Sequence, residues 1–209
     1  MPTILCFGDS NTWGTVPNES RRYSENERWP ALLSSALADN ATVIEEGQQG
    51  RTIVHNNPFQ GEKSGQRYLK DCLDAFVPDL VIILLGTNDL KKRFALSADA
   101  VAQSASELAL KVLQYKSRKV RKEIQVLLIA PPKVIEVGSY AKLYQGAAQK
   151  SQVLAGFYER YAKEIGCAFF DAGTVVTPCL NEGVHWPLEQ HQLLASALLP
   201  VIHEIVDLP

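Results

Sequence analysis

The sequence predicts one α/β domain built on a parallel sheet of about five strands, doubly wound by helices. Three observations predict it. Short apolar, β-prone runs alternate with segments of helical period along the whole chain. One run, Leu80-Val81-Ile82-Ile83-Leu84-Leu85, has no polar residue, as a central parallel strand covered on both faces requires. The 209 residues, 46% of them apolar, suffice for one well-buried core and are short for two. No repeat, low-complexity tract or linker divides residues 1–209.

The first strand is Thr3-Ile4-Leu5-Cys6-Phe7, which ends abruptly at Gly8-Asp9-Ser10-Asn11. A polar and aromatic stretch follows, in which Arg21, Arg22 and Arg28 read as solvated surface. A helix is expected from Trp29 to Ala38, with Pro30 near its start and Leu32, Leu33, Ala36 and Leu37 on one stripe. Thr42-Val43-Ile44 is a second strand, followed by the loop Glu45 to Thr52 with two glycines. The run Leu80–Leu85 ends in Gly86-Thr87-Asn88-Asp89. Ser97 caps the next helix, whose buried face is Val101, Ala105, Leu108 and Val112. Residues 116–122 carry five basic groups, read as a solvated helix end. Ile124 to Ala130 is the fourth strand, stopped by Pro131-Pro132, and residues 133–145 form an irregular rim or flap. A helix is expected from Ala147 to Ile165, buried along Val153, Phe157 and Tyr161. Ala168-Phe169-Phe170 is the fifth strand, ending at Asp171. The last helix begins near Pro187, and Pro200 is expected to kink or end it.

Composition excludes several classes. A net charge of −2 gives no bulk attraction to nucleic acid or anionic lipid. No run reaches about 18 apolar residues, so no transmembrane helix and no membrane partner are expected. The first apolar run is too short for a signal peptide, and a cytoplasmic address is expected. Cys6, Cys72, Cys167 and Cys179 lack metal-ligand spacing and do not make a disulfide scaffold. No metal or other cofactor is expected.

In a doubly wound sheet the carboxyl ends of the strands share one edge, where ligands bind. Ser10, Gly50 and Asn88 therefore converge, although far apart in sequence. Serine is a weak nucleophile at neutral pH and needs a base, for which His185 is the best candidate. An acid must orient the imidazole; Glu182 stands three residues earlier, with Asp171 or a backbone carbonyl as alternatives. The amides of Ser10 and Gly50 and the side-chain NH2 of Asn88 are the candidate oxyanion donors. Trp13 and Trp186 flank Ser10 and His185 and are candidate pocket walls or rim packing. Asp9 reads as a cap, Asp89 as an anchor of the Asn88 turn and Arg51 as a brace. Lys91-Lys92-Arg93 reads as a solvated run, with attraction of anionic substrates as the alternative. His55 and His191 read as ordinary polar residues.

These blocks resemble those of SGNH (GDSL-type) hydrolases: Gly8-Asp9-Ser10, then Gly50 after the second strand, then Gly86-Thr87-Asn88-Asp89, then Glu182-Gly183-Val184-His185. They occur in family order and span residues 8 to 185. Three segments are similar to the arylesterase/acyltransferase branch: 8–14, 43–47 and 80–89. The resemblance implies a three-layer α/β/α, flavodoxin-like fold, and metal-free ester hydrolysis by a serine, a histidine and an acid. It also implies acyl transfer to alcohols in some relatives and homo-oligomers. The acid position departs from the family pattern, since Glu182 stands where Asp is usual. The expected function is that of a serine esterase on small, short-acyl aryl or alkyl esters. The alternatives are a carbohydrate deacetylase, a lysophospholipase or thioesterase on the same residues, and a non-enzymatic flavodoxin-like binding module.

Overall fold

The computed structural model describes residues 1–55 and 63–206. Its five strands are β1 (Thr3–Gly8), β2 (Thr42–Gly47), β3 (Leu80–Leu84), β4 (Gln125–Ala130) and β5 (Ala168–Asp171). All neighbours pair in parallel, in the order β2-β1-β3-β4-β5. The α-helices among the described residues are α1 (Ser10–Trp13), α2 (Trp29–Ala36), α3 (Gly65–Phe76), α4 (Ala98–Leu113), α5 (Ala147–Ile165) and α6 (Leu188–Ile205).

Alternation along the strands sorts the core into two layers. Leu5, Phe7, Val81, Ile83, Val126 and Leu128 point to one side, where α3, α4 and α5 pack. Ile4, Cys6, Leu80, Ile82, Leu84, Leu127 and Ile129 point to the other, against Trp29 and Leu33 of α2 and Leu194, Leu198 and Ile202 of α6. This is the expected three-layer architecture. Each such side chain, fully buried, contributes about 1.5–3 kcal/mol. The expected α4 face, Val101, Ala105, Leu108 and Val112, is buried throughout.

Several elements depart from the sequence reading. Strand β2 runs on through Glu45 and Glu46, because it is a half-buried edge strand on which Glu45 pairs with Arg22 and Arg28. Arg28 is buried rather than solvated, and its guanidinium donates to both oxygens of Glu45 at 2.6 and 2.8 Å. Helix α3 was not among the expected elements; its buried stripe is Leu69, Cys72 and Leu73, in a segment dense with charge. Helix α5 buries Leu154, Tyr158 and Ala162, one position on from the expected stripe, and leaves Val153 exposed. The Tyr158 hydroxyl, which donates to the Leu85 carbonyl at 2.9 Å, fixes this rotation. Pro200 lies inside α6 without ending it. It is exposed, as is Ser196, so the carbonyl that loses its donor faces water. No helix among the described residues is long and apolar enough to cross a membrane.

Between α2 and α6, His191 is fully buried. Its Nδ1 accepts from the Trp29 N–H at 3.4 Å, and its ring meets Tyr23 and Trp186. Burial, with Arg28 nearby, lowers its pKa to about 4. The unfolded chain, with an ordinary histidine, takes up this proton first as pH falls below about 6.5. Folding stability is therefore lost between about pH 6.5 and 4, and the effect amounts to roughly 2–3 kcal/mol by pH 4.5. Urea midpoints of wild type and His191→Gln at pH 7.5 and 4.5 measure it, with the shallower pH dependence expected in the variant.

Candidate active site

The strand order reverses direction at β1, so the crevice at the carboxyl ends of β1 and β3 is the ligand site that this topology favours. Strand β1 ends at Gly8, where a Cβ would stand 1.9 Å from Thr12 Oγ1. Asp9 then caps α1, its Oδ1 accepting from the Asn11 N–H at 2.9 Å. This places Ser10 in the first turn of α1, 7% exposed, at the mouth of the crevice.

The opposite wall is the loop before α6. Gly183 is left-handed, with φ +89°, and a Cβ there would meet the Ile135 carbonyl oxygen at 1.9 Å. That turn folds Glu182 back on the following backbone. Its Oε2 accepts from the N–H groups of Val184 at 2.8 Å and His185 at 2.7 Å. Its Oε1 lies 2.5 Å from His185 Nδ1. The far ring nitrogen, Nε2, is 2.9 Å from Ser10 Oγ. One carboxylate therefore holds both its own loop and the ring. Asp171 instead caps the turn after β5, accepting from the Gly173 N–H at 2.8 Å.

Gly50 and Asn88 join Ser10 and His185 in lining a cavity of about 190 Å³. The backbone N–H groups of Ser10 and Gly50 meet no acceptor among the described residues. Asn88 Nδ2 donates to the Arg51 carbonyl at 3.1 Å and stands 3.4 Å from Asp9 Oδ2. The second contact is long for a hydrogen bond, which leaves that N–H available to a ligand. Arg51 braces the loop as expected, donating to the carbonyls of Gly8 and Glu46 and lying over the Phe7 ring. Asp89 accepts from the Ile53 N–H at 3.0 Å, so it anchors the β2–α3 connection to the Asn88 turn.

A model of the GDSL-like lipase/acylhydrolase family matches residues 6–194. The chain belongs to that family. It is a carboxylic ester hydrolase by that membership. The native aryl esterase of M. smegmatis is 33% identical, with 99% of this chain and 100% of that one covered and a TM-score of 0.94. A carbohydrate acetylesterase family member from Sinorhizobium meliloti is 32% identical over 98% of each chain, with a TM-score of 0.92. An acetylxylan esterase of Xylanibacter ruminicola is 36% identical over 90 residues, which are 42% of this chain and only 17% of that protein.

The charges of this candidate site are held out of water. Burial pushes Glu182 up, but the His185 ring and two backbone donors outweigh it and keep its carboxyl below the usual range. Burial raises Asp9, and raises Asp89 to about 7. Lys91, expected in a solvated run, is buried on the cavity wall and its pKa falls to about 8. The two tryptophans do not line the cavity. Trp186 is fully buried in the core against α2 and α6, and Trp13 lies under the Arg22 guanidinium, 5.1 Å from it. The aromatic walls are Tyr140 and Tyr144, from the segment expected to be a rim or flap. Tyr140 meets the His185 ring edge-on at 5.4 Å, and the Tyr144 hydroxyl donates to Asn88 Oδ1 at 3.3 Å. No periodicity in that irregular segment singles them out in the sequence. Among the described residues, no cluster of three His, Cys, Asp or Glu is placed to hold a metal ion.

Gly183→Ala forces a Cβ into the Ile135 carbonyl in a conformation that costs non-glycine residues about 1–2 kcal/mol before any clash. A drop in Tm of at least roughly 3 °C is expected by calorimetry, at about 2–4 °C per kcal/mol for this chain length. An unchanged Tm means that the turn is not built as described.

Proposed function

We propose that the chain is a serine esterase that hydrolyses short-acyl aryl or alkyl esters through an acyl-enzyme. The observation that carries this reading is the unbroken series Glu182–His185–Ser10, at 2.5 and 2.9 Å, opening on a cavity that Gly50 and Asn88 also line. With Glu182 ionised, His185 holds its proton on Nδ1, and Nε2 accepts from the Ser10 hydroxyl. His185 removes that proton as Oγ attacks the ester carbonyl. The Ser10 and Gly50 amides and Asn88 Nδ2 stabilise the oxyanion, fixed donors being worth most where water is excluded. His185 then protonates the leaving alcohol. Water, activated by the same ring, attacks the acyl carbon and releases Ser10. An alcohol in place of water gives acyl transfer, and assembly of several copies around the site extends the reading from the family resemblance.

A second reading, deacetylation of a carbohydrate, is favoured by the polar side chains of Thr15, Glu19 and Gln49 on the same cavity. The Sinorhizobium and Xylanibacter relatives, by their names, support it. Relative kcat/KM on aryl acetates and acetylated sugars separates the two.

Ser10→Ala is expected to abolish labelling by an organophosphonate, read by intact mass, and nearly all turnover; full activity in that variant refutes the reading. Asn88→Ala is expected to lower kcat by about 10²–10³, and a change of only a few-fold moves the donor elsewhere. Glu182→Gln is expected to lower kcat by about 10³ or more with the fold intact. If Asp171→Asn does so instead, the acid is misassigned.

A further inference from the structure

The proposed mechanism employs Ser10, His185, Glu182 and the oxyanion donors, and leaves one buried charge beside them without a task. Lys91 is 8% exposed and lines the same cavity as Ser10, Gly50 and Asn88. Its ammonium makes no hydrogen bond to any described residue; the Tyr144 ring, with its centroid 5.7 Å from Nζ, is the group that it faces. Lysine is almost never buried unless paired. The nearby carboxylates are committed elsewhere: Asp9 to the Asn11 N–H and Asp89 to the Ile53 N–H. A second ammonium approaches the same wall, since Lys63 Nζ lies 3.4 Å from where a Cβ on Gly50 would stand. Glu19, the acid on the cavity's rim, is paired with Arg21 at 2.5 Å.

The position of Lys91 also says which part of an ester it meets. His185 hands its proton to the leaving alcohol, so the alcohol lies on the His185 side. There an adjoining cavity of about 350 Å³ runs between Glu19 and Ser139, with Tyr140 and His185 on its walls and Lys91 absent. Lys91 stands instead with Gly50 and Asn88, two of the proposed oxyanion donors, on the wall of the first cavity. The remaining substituent of the tetrahedral carbon is the acyl chain. We infer that Lys91 is a cation subsite for a carboxylate at the far end of the acyl group, so that the preferred substrates are half-esters of short dicarboxylic acids. This rests on the serine-esterase reading and narrows its substrate class. A carboxylate there supplies a hydrogen-bonding partner, which the ammonium does not have among the described residues, and a charge-assisted bond of this kind has two ionised ends.

The test compares two matched ester pairs in wild type, Lys91→Met and Lys91→Arg. The acyl-side pair is mono-4-nitrophenyl glutarate and 4-nitrophenyl 5-methylhexanoate, in which an isopropyl group replaces the carboxylate. The alcohol-side pair is 4-acetoxybenzoate and 4-isopropylphenyl acetate. The expected result is that the glutarate preference in kcat/KM falls by about 10-fold or more in Lys91→Met and recovers in part in Lys91→Arg, while the alcohol-side preference stays put. Each preference is a ratio within one protein, so a general loss of folded enzyme cancels. The glutarate preference is also expected to decline as pH rises through about 8, where Lys91 loses its proton. Arg93 and Lys63 push that proton off, and Asp9 and Asp89 hold it on. A glutarate preference unchanged by Lys91→Met overturns the inference, as does a loss confined to the alcohol-side pair or an equal loss on both members of the acyl pair. Organophosphonate labelling of Ser10 in wild type is scored separately: its absence sinks the serine-esterase reading, and its presence with unmoved ratios sinks only the subsite.

Discussion

The contact between Ser10 and His185 joins residues 175 positions apart at 2.9 Å, and the rest of the structure is arranged to hold its two ends. Such a bond contributes about 1.5–3 kcal/mol net at most. Ordering a loop costs about 1–2 kcal/mol for every residue fixed. The contact therefore cannot create the loop that presents His185; the loop must be ordered by other means. Val184 and Trp186, on either side of His185, are both buried, one in each layer of the core. The Asn11 side chain donates to the Val184 carbonyl at 3.3 Å, tying the helix that carries Ser10 to the loop. The Ile135 N–H donates to the Gly183 carbonyl at 2.9 Å from the third side. With the ends fixed in this way, the hydrogen bond reports the geometry and does not have to build it.

The same edge of the sheet gathers buried charge. Asp9, Asp89, Lys91 and Glu182 are each under 9% exposed, a costly choice for a domain that could fold without them. Asp9 and Asp89 recover part of that cost as anchors. One caps the serine turn, and the other pins the β2–α3 connection to the end of β3. Glu182 does so by holding its own loop. These carboxylates anchor the strand ends around the cavity that Ser10 and Gly50 line.

The fold was legible in the sequence wherever burial is complete. The apolar run of β3 and the Val101–Val112 stripe were read correctly because every residue in them meets the core. Strand β2 was read too short because an edge strand accepts Glu45 and Glu46, which pattern alone assigns to a loop. Helix α5 was rotated by one position because it carries two adjacent apolar stripes, and a buried tyrosine hydroxyl decides between them. The placement of Ser10, Gly50 and Asn88 around one cavity followed from strand topology, since parallel strands bring their ends to a common edge; His185, in the loop before α6, was picked out by its chemistry as a base. The walls did not follow. Tyr140 and Tyr144 reach the site through an irregular segment with no periodicity to read. Lys91 is buried by tertiary packing that a run of three basic residues gives no sign of. Trp186 was drawn to the site by its sequence neighbour, but its side chain enters the core while His185 lines the cavity.

A crystal structure of the protein treated with a phosphonate ester tests the Ser10–His185 site most directly. The proposed geometry predicts phosphorus bonded to Ser10 Oγ, with the phosphonyl oxygen within hydrogen-bonding distance of the Ser10 and Gly50 amides and Asn88 Nδ2, and His185 still held by Glu182. Phosphorus on another side chain, or a phosphonyl oxygen turned away from those three donors, contradicts it.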